Sequence, residues 1–170
     1  MQESQRELLA QKSKDYLSIG ITEDGNIQRI IPIPWQYTST AYNMRRPEIY
    51  LEPADLEDEE LMAHLETFQV RGMYIFTPLE DYSFIARFRG LWDVYILRGG
   101  GWIDLSFMRE IPDWSMFHLQ DAIVPDISPV FRSRREMIFK HQKVCLTNYR
   151  IDSPEDDGDD SVFISELLVE

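Results

Sequence analysis

The chain has 170 residues, a formal net charge of −13, and 44% hydrophobic and 12% aromatic residues. That length fits one domain, and that apolar content excludes disorder of the whole chain. The charge excludes nucleic acid and anionic membrane surfaces as main partners, because both need positive charge to release counterions or attract lipid.

From the N-terminus, Met1 to Glu7 is polar and Leu8-Leu9-Ala10 is too short for the apolar region of a signal peptide. No apolar run approaches transmembrane length. Residues 2–14 are expected to form a short helix around Leu8 and Leu9. Tyr16 to Thr22 alternates as a strand does, Asp24-Gly25 carries a turn signal, and Ile27 to Ile33 resumes the alternation. A β-hairpin is therefore expected, capping the first end of a repeat array, with residues 1–47 as the cap region. Pro32, Pro34 and Trp35 end it, and Gln36 to Pro47 is a polar connector.

A repeat follows. Asp81-Tyr82-Ser83-Phe84-Ile85 is nearly copied by Asp104-Leu105-Ser106-Phe107-Met108, and the apolar positions beyond coincide: Leu91 with Trp114, Val94 with Phe117, Ile96 with Leu119. Each copy holds an apolar-x-x-apolar-x-apolar strand signal. Val70-x-x-Met73-x-Ile75 fits the same template, and Ile49-x-Leu51 fits its second half. The last inward residues fall at Leu51, Ile75, Ile96 and Leu119, giving steps of 24, 21 and 23. A fixed period of this kind means that each unit buries its apolar side by stacking on its neighbours.

Between the strands lie helical signals. Asp58-Glu59-Glu60 precedes Leu61, Met62 and Leu65, and Asp81-x-Ser83 and Asp104-x-Ser106 offer cap residues before apolar pairs. Asp126-Ile127-Ser128 resembles them, and a fifth, atypical strand is expected around Met137 to Lys140, so the repeats span residues 48–140. Residues 141–170 are expected to form a C-terminal cap: a last strand over Lys143 to Tyr149, an irregular acidic stretch from Asp152 to Asp160, and apolar residues again from Ser161 to Val169.

The pattern resembles leucine-rich repeats over roughly Ile49 to Lys140. The resemblance implies an α/β solenoid with a parallel sheet on its concave side and short helices or turns on the convex side. One position departs from the family. The asparagine or cysteine usual three residues after the last strand leucine is replaced by Ala54, Pro78, Gly99 and Ala122. What the resemblance implies for function is protein recognition without catalysis.

The candidate site comes from the repeat itself. Residues flanked by two inward positions point the other way, and paired strands lie about 4.8 Å apart. Tyr50, Tyr74, Tyr95 and His118, with Phe139 from the fifth strand, are therefore expected to form an exposed column on the concave face. Phe76 and Leu97 follow it, and Asp93 and Met116 precede it. Such an aromatic surface suits a protein partner, or a second copy of the chain. The acidity offers an alternative role, as a decoy for a basic nucleic-acid-binding protein.

Other chemistry is thinly represented. His64, His118 and His141 show no metal-ligand spacing, and no cofactor motif is present. A single cysteine, Cys145, excludes an internal disulfide framework and suits a reducing cytoplasm. Gly99-Gly100-Gly101 lacks the Lys-Ser/Thr ending of a phosphate loop and reads as a turn. The acidic stretch lacks the distal frame of a calcium loop.

Overall fold

A computed structural model describes residues 16–23, 48–131, 142–151 and 163–169. The expected helix over 2–14, the second arm of the hairpin and the strand over 137–140 lie outside the described residues.

The strands form where apolar residues alternate or run together. They are β1 (Tyr16–Ile21), β2 (Glu48–Leu51), β3 (Gln69–Ile75), β4 (Asp93–Ile96), β5 (Met116–Val124), β6 (Lys143–Ile151) and β7 (Phe163–Val169). They make one sheet in the order β2-β1-β3-β4-β5-β6-β7. The first six are mutually parallel, and β7 closes the sheet antiparallel to β6.

Register places the inward residues in two rows across the parallel strands. One row is Leu51, Ile21, Ile75, Ile96, Leu119 and Leu146, and the other is Ile49, Ile19, Met73, Val94, Phe117 and Val144. All twelve are buried and belong to one core. Burying such an aliphatic side chain stabilises by about 1.5–3 kcal/mol before chain entropy is subtracted.

The opposite wall of that core is α1 (Glu59–Glu66) and a series of 3-10 segments, η2 (Ser83–Arg87), η3 (Leu105–Glu110) and η4 (Ser128–Val130), with η1 (Pro53–Glu57) before α1. Asp58 caps α1 by accepting from the Leu61 N–H at 3.0 Å, and Met62 and Leu65 face the core. An Asp-x-Ser turn leads into each of the other three, and in η3 its aspartate, Asp104, is the N-cap. Asp81, Asp104 and Asp126 each accept through Oδ1 from the N–H of Ser83, Ser106 and Ser128, at 2.8, 2.9 and 2.8 Å. The side-chain acceptor leaves the extended strand path and starts a helical turn. Ion pairs cross between these segments: Arg87 with Glu59 and Glu66, Arg89 with Glu110, Arg109 with Asp126.

Two expectations are corrected. Strand β1 is not one arm of a hairpin cap. It lies inside the sheet, parallel to β2 on one edge and to β3 on the other, so both edges are occupied and no antiparallel arm can pair beside it. It also separates Leu51 from Ile75, which the repeat spacing sets side by side. Second, no strand over 137–140 stands between β5 and β6: these two pair directly, so β6 takes the next place in the array. The apolar residues at the C-terminal end form β7, and the acidic stretch from Asp152 to Asp160 lies outside the described residues.

Candidate protein-interaction face

The outward face of the sheet is also arranged in rows. The middle row runs Tyr50, Gly20, Tyr74, Tyr95, His118 and Cys145 in strict register. Tyr74 and Tyr95 stack with ring centroids 5.2 Å apart and planes 26° apart, and Tyr95 meets His118 edge-on at 5.8 Å. The row before it runs Ser18, Gly72, Asp93, Met116 and Lys143, and the row after it includes Gln120 and Thr147. Cys145 Sγ lies 3.8 Å from Thr147 Oγ1. His141 is the histidine nearest to Cys145 in sequence; register sets His118 beside it instead.

Gly20 is the one gap in the middle row, and the gap is filled from the side. A Cβ there would stand 2.6 Å from the Tyr50 ring. Tyr50 thus leans across β1 towards Tyr74. Gly72 does the same in the preceding row, where a Cβ would meet the Ser18 hydroxyl and the Tyr74 ring, each at 2.8 Å. Small outward residues on β1 (Ser18, Gly20) let large ones close over it. The alternation of Leu17, Ile19 and Ile21 with Ser18, Gly20 and Thr22 was the available signal for this.

The expectation that the column is exposed fails. Tyr50, Tyr74, Tyr95, Met116 and His118 are all buried, and so is Asp93 at 2% exposure. Phe139 lies outside the described residues, and Cys145 takes the place beside His118 that the fifth strand was to fill. The physical reason is that parallel strands are normally covered on both faces and then read as near-continuous apolar runs. Met73-Tyr74-Ile75-Phe76 and Val94-Tyr95-Ile96-Leu97 are such runs. Of the expected site, Phe76 and Leu97 alone remain half-buried; they pack on the cluster of Tyr74, Tyr95 and Met116.

Beyond Leu97 the chain forms a rigid platform that sequence reasoning missed. Gly99 and Gly100 donate to the carbonyls of Gln120 and Asp121 at 3.0 and 2.8 Å. Gly101 accepts from the Ile123 N–H at 2.9 Å, and Ile103 donates to the Ile123 carbonyl at 2.8 Å. A Cβ on Gly99 would meet Ala122 Cβ at 2.7 Å; one on Gly100, whose φ is +67°, would meet Pro78 at 2.5 Å. The glycine run is therefore a packed turn. Tyr82 secures it from below: its hydroxyl accepts from Leu79 N–H at 3.1 Å and donates to the Gly99 carbonyl at 3.2 Å. Burial pushes the Tyr82 phenol above its ordinary pKa, partly offset by the Leu79 hydrogen bond. The platform presents Trp102, bridged to Ile123 and 55% exposed, while Ile103 next to it is buried. Tryptophan after three glycines was the sequence signal for an exposed aromatic.

Charge at this end of the sheet includes the aspartates of the Asp-x-Ser turns. The hydroxyl and N–H of Ser83 hold the Asp81 carboxyl below the usual range, and Ser128 does the same for Asp126, helped by Arg109. Among the described residues no group of three His, Cys, Asp or Glu side chains is placed to hold a metal ion. None of the described helices is long and apolar enough to cross a membrane. No protein-family model matches the chain, and neither a curated protein nor a solved structure matches it.

Proposed function

We propose that the chain is a short solenoid of the leucine-rich-repeat kind and works as a non-catalytic protein-interaction module. Its partner meets the outward face of the sheet at the end where β3 and β4 finish. In support of the solenoid stand the strand register and the row of 3-10 segments behind it, each led by an Asp-x-Ser turn. The insertion of β1 is a departure from simple repeat order.

The observation that carries the interaction reading is the position of Phe76 and Leu97. Both are large, apolar and partly open to solvent, and both rest on the buried Tyr74, Tyr95 and Met116 cluster. Apolar side chains on a rigid base lose little conformational freedom on binding, which is the setting in which hot spots occur. The buried tyrosines then serve as the floor of the surface, and the partner touches its rim.

The test is affinity capture with the wild-type chain and a Phe76→Ala/Leu97→Ala variant, followed by hydrogen exchange on the captured complex. The reading expects a partner that the double variant loses, with protection centred on residues 74–76 and 95–97. A partner kept by the double variant and shed steeply with added salt supports the acidic-decoy role instead.

A further inference from the structure

We propose that Trp102 anchors a docking surface for a lysine- or arginine-rich segment of a partner protein. This rests on the interaction reading above and names the chemistry of the partner.

The first ground is the cost of displaying this side chain. A tryptophan 55% exposed forgoes much of its burial energy. Here it is not the tip of a loose loop. The backbone on either side of it is bonded to β5, and Gly99 and Gly100 are packed so closely that any other residue would clash. The backbone that carries the indole ring is thus tied to β5 while the ring stands largely in solvent. Ile123, half-buried and bridged to Trp102, adds an apolar neighbour to it.

The second ground is charge complementarity. All six parallel strands end at the same edge, so the turns that follow them share it. Among the described residues, the platform and the strand ends and turns around it carry Glu80, Asp81, Asp104 and Asp121, against Arg98 and Arg150, the latter in register with Ile123; Asp126 is paired with Arg109. The Ser83 and Ser128 hydrogen bonds hold the Asp81 and Asp126 carboxyls below the ordinary carboxylate range. An exposed indole at an edge of the sheet where acidic residues outnumber basic ones suits a cation: the ring quadrupole attracts ammonium or guanidinium, and the carboxylates attract it from further away. The chain uses the same pairing internally, where the Arg71 guanidinium lies 4.6 Å from the centre of the Trp92 ring.

The experiment is fluorescence anisotropy of the full chain with a fluorescein-labelled twelve-residue lysine/arginine peptide, and with a glutamate peptide of the same length. Wild type is expected to bind the cationic peptide alone, with affinity falling as salt rises. Trp102→Ala is expected to weaken binding about tenfold at an unchanged thermal midpoint, and Trp102→Phe to keep most of it. Equal affinity in wild type and Trp102→Ala overturns the proposal, because charge alone would then explain the binding. So does equal binding of the glutamate peptide. The two readings fail separately. If capture depends on Phe76 and Leu97 while the cationic peptide ignores Trp102, the face stands and the cationic occupant falls. If the peptide needs Trp102 while a captured partner ignores Phe76 and Leu97, the docking site stands and the broader face falls.

Discussion

Asn148 donates from Nδ2 to Asp121 Oδ1 across two adjacent parallel strands, and both residues hold left-handed backbone, with φ of 49° and 55°. Gly100, at φ +67°, donates its N–H to the Asp121 carbonyl at the same level. Three neighbouring segments therefore turn together. Asp and Asn tolerate this conformation far better than branched residues. Asp121→Val and Asn148→Val are each expected to cost about 2–3 kcal/mol, from backbone strain plus the lost bond. Asn148→Gly keeps the backbone and loses only the bond, so its cost should stay below about 1.5 kcal/mol. Urea unfolding midpoints check all three.

Gly20 and Tyr50 form a second coupled pair. Gly20→Ala places a methyl group 2.6 Å from the Tyr50 ring and is expected to destabilise by about 1–3 kcal/mol. Removing the ring should remove the clash, so Gly20→Ala on a Tyr50→Ala background should cost clearly less. A double-mutant cycle measures the difference, and strict additivity would refute the packing described for β1.

The acid limb of stability has a definite sign. Asp81 titrates below its ordinary value of 3.8 in the folded chain, chiefly through the Ser83 hydroxyl and N–H. Its contribution is therefore complete above that value and disappears as pH falls through the lowered one. Ser83→Ala deletes the hydroxyl bond and should cost about 0.5–1 kcal/mol at neutral pH, a small figure because the pair is exposed. The gap between variant and wild type should close below about pH 3. Denaturant titrations at neutral and acid pH read it directly.

Arg87 joins α1 to η2 by bonding Glu59 and Glu66 at once. Two-carboxylate geometry places it above an ordinary surface pair, yet solvent screens it. Arg87→Ala should lower stability by about 0.5–1.5 kcal/mol, and the difference should shrink in about 1 M salt. Thermal midpoints at low and high salt test this.

Tyr82→Phe removes one hydroxyl and leaves two backbone groups, the Leu79 N–H and the Gly99 carbonyl, without it. A cost of about 1–3 kcal/mol is expected. Because burial raises the Tyr82 pKa, its contribution is whole below the ordinary phenol value of 10.0 and is lost as pH climbs through the raised one. Wild type should therefore lose stability in alkali that Tyr82→Phe does not.

The rungs around Val94 and Phe117 were legible because two copies with matching apolar positions place the same side chains inward, whatever the neighbours do. The cap at Asp104 was legible for the same reason, whereas the like turn at Asp81 precedes η2 by one residue more. The place of β1 was not. Alternation of Leu17, Ile19 and Ile21 with small residues says which face each side chain takes, and nothing about which strand lies alongside. The column of Tyr74, Tyr95 and His118 was readable as a row, while its burial was not, since an aromatic facing away from one core reads the same whether the second face is open or covered. Trp102 escapes a reading of the sequence because a glycine run suggests slack, whereas here each of two glycines is required by close packing.

The interleaving of β1 has a kinetic meaning. Of the described strands this one is synthesised first, but both of its hydrogen-bonded edges await β2 and β3, which come later in the chain. Strands β3 to β6 pair each with its nearest successor and can zip sequentially. The N-terminal strand must instead find its slot over long sequence separations, the class of contact that slows folding most.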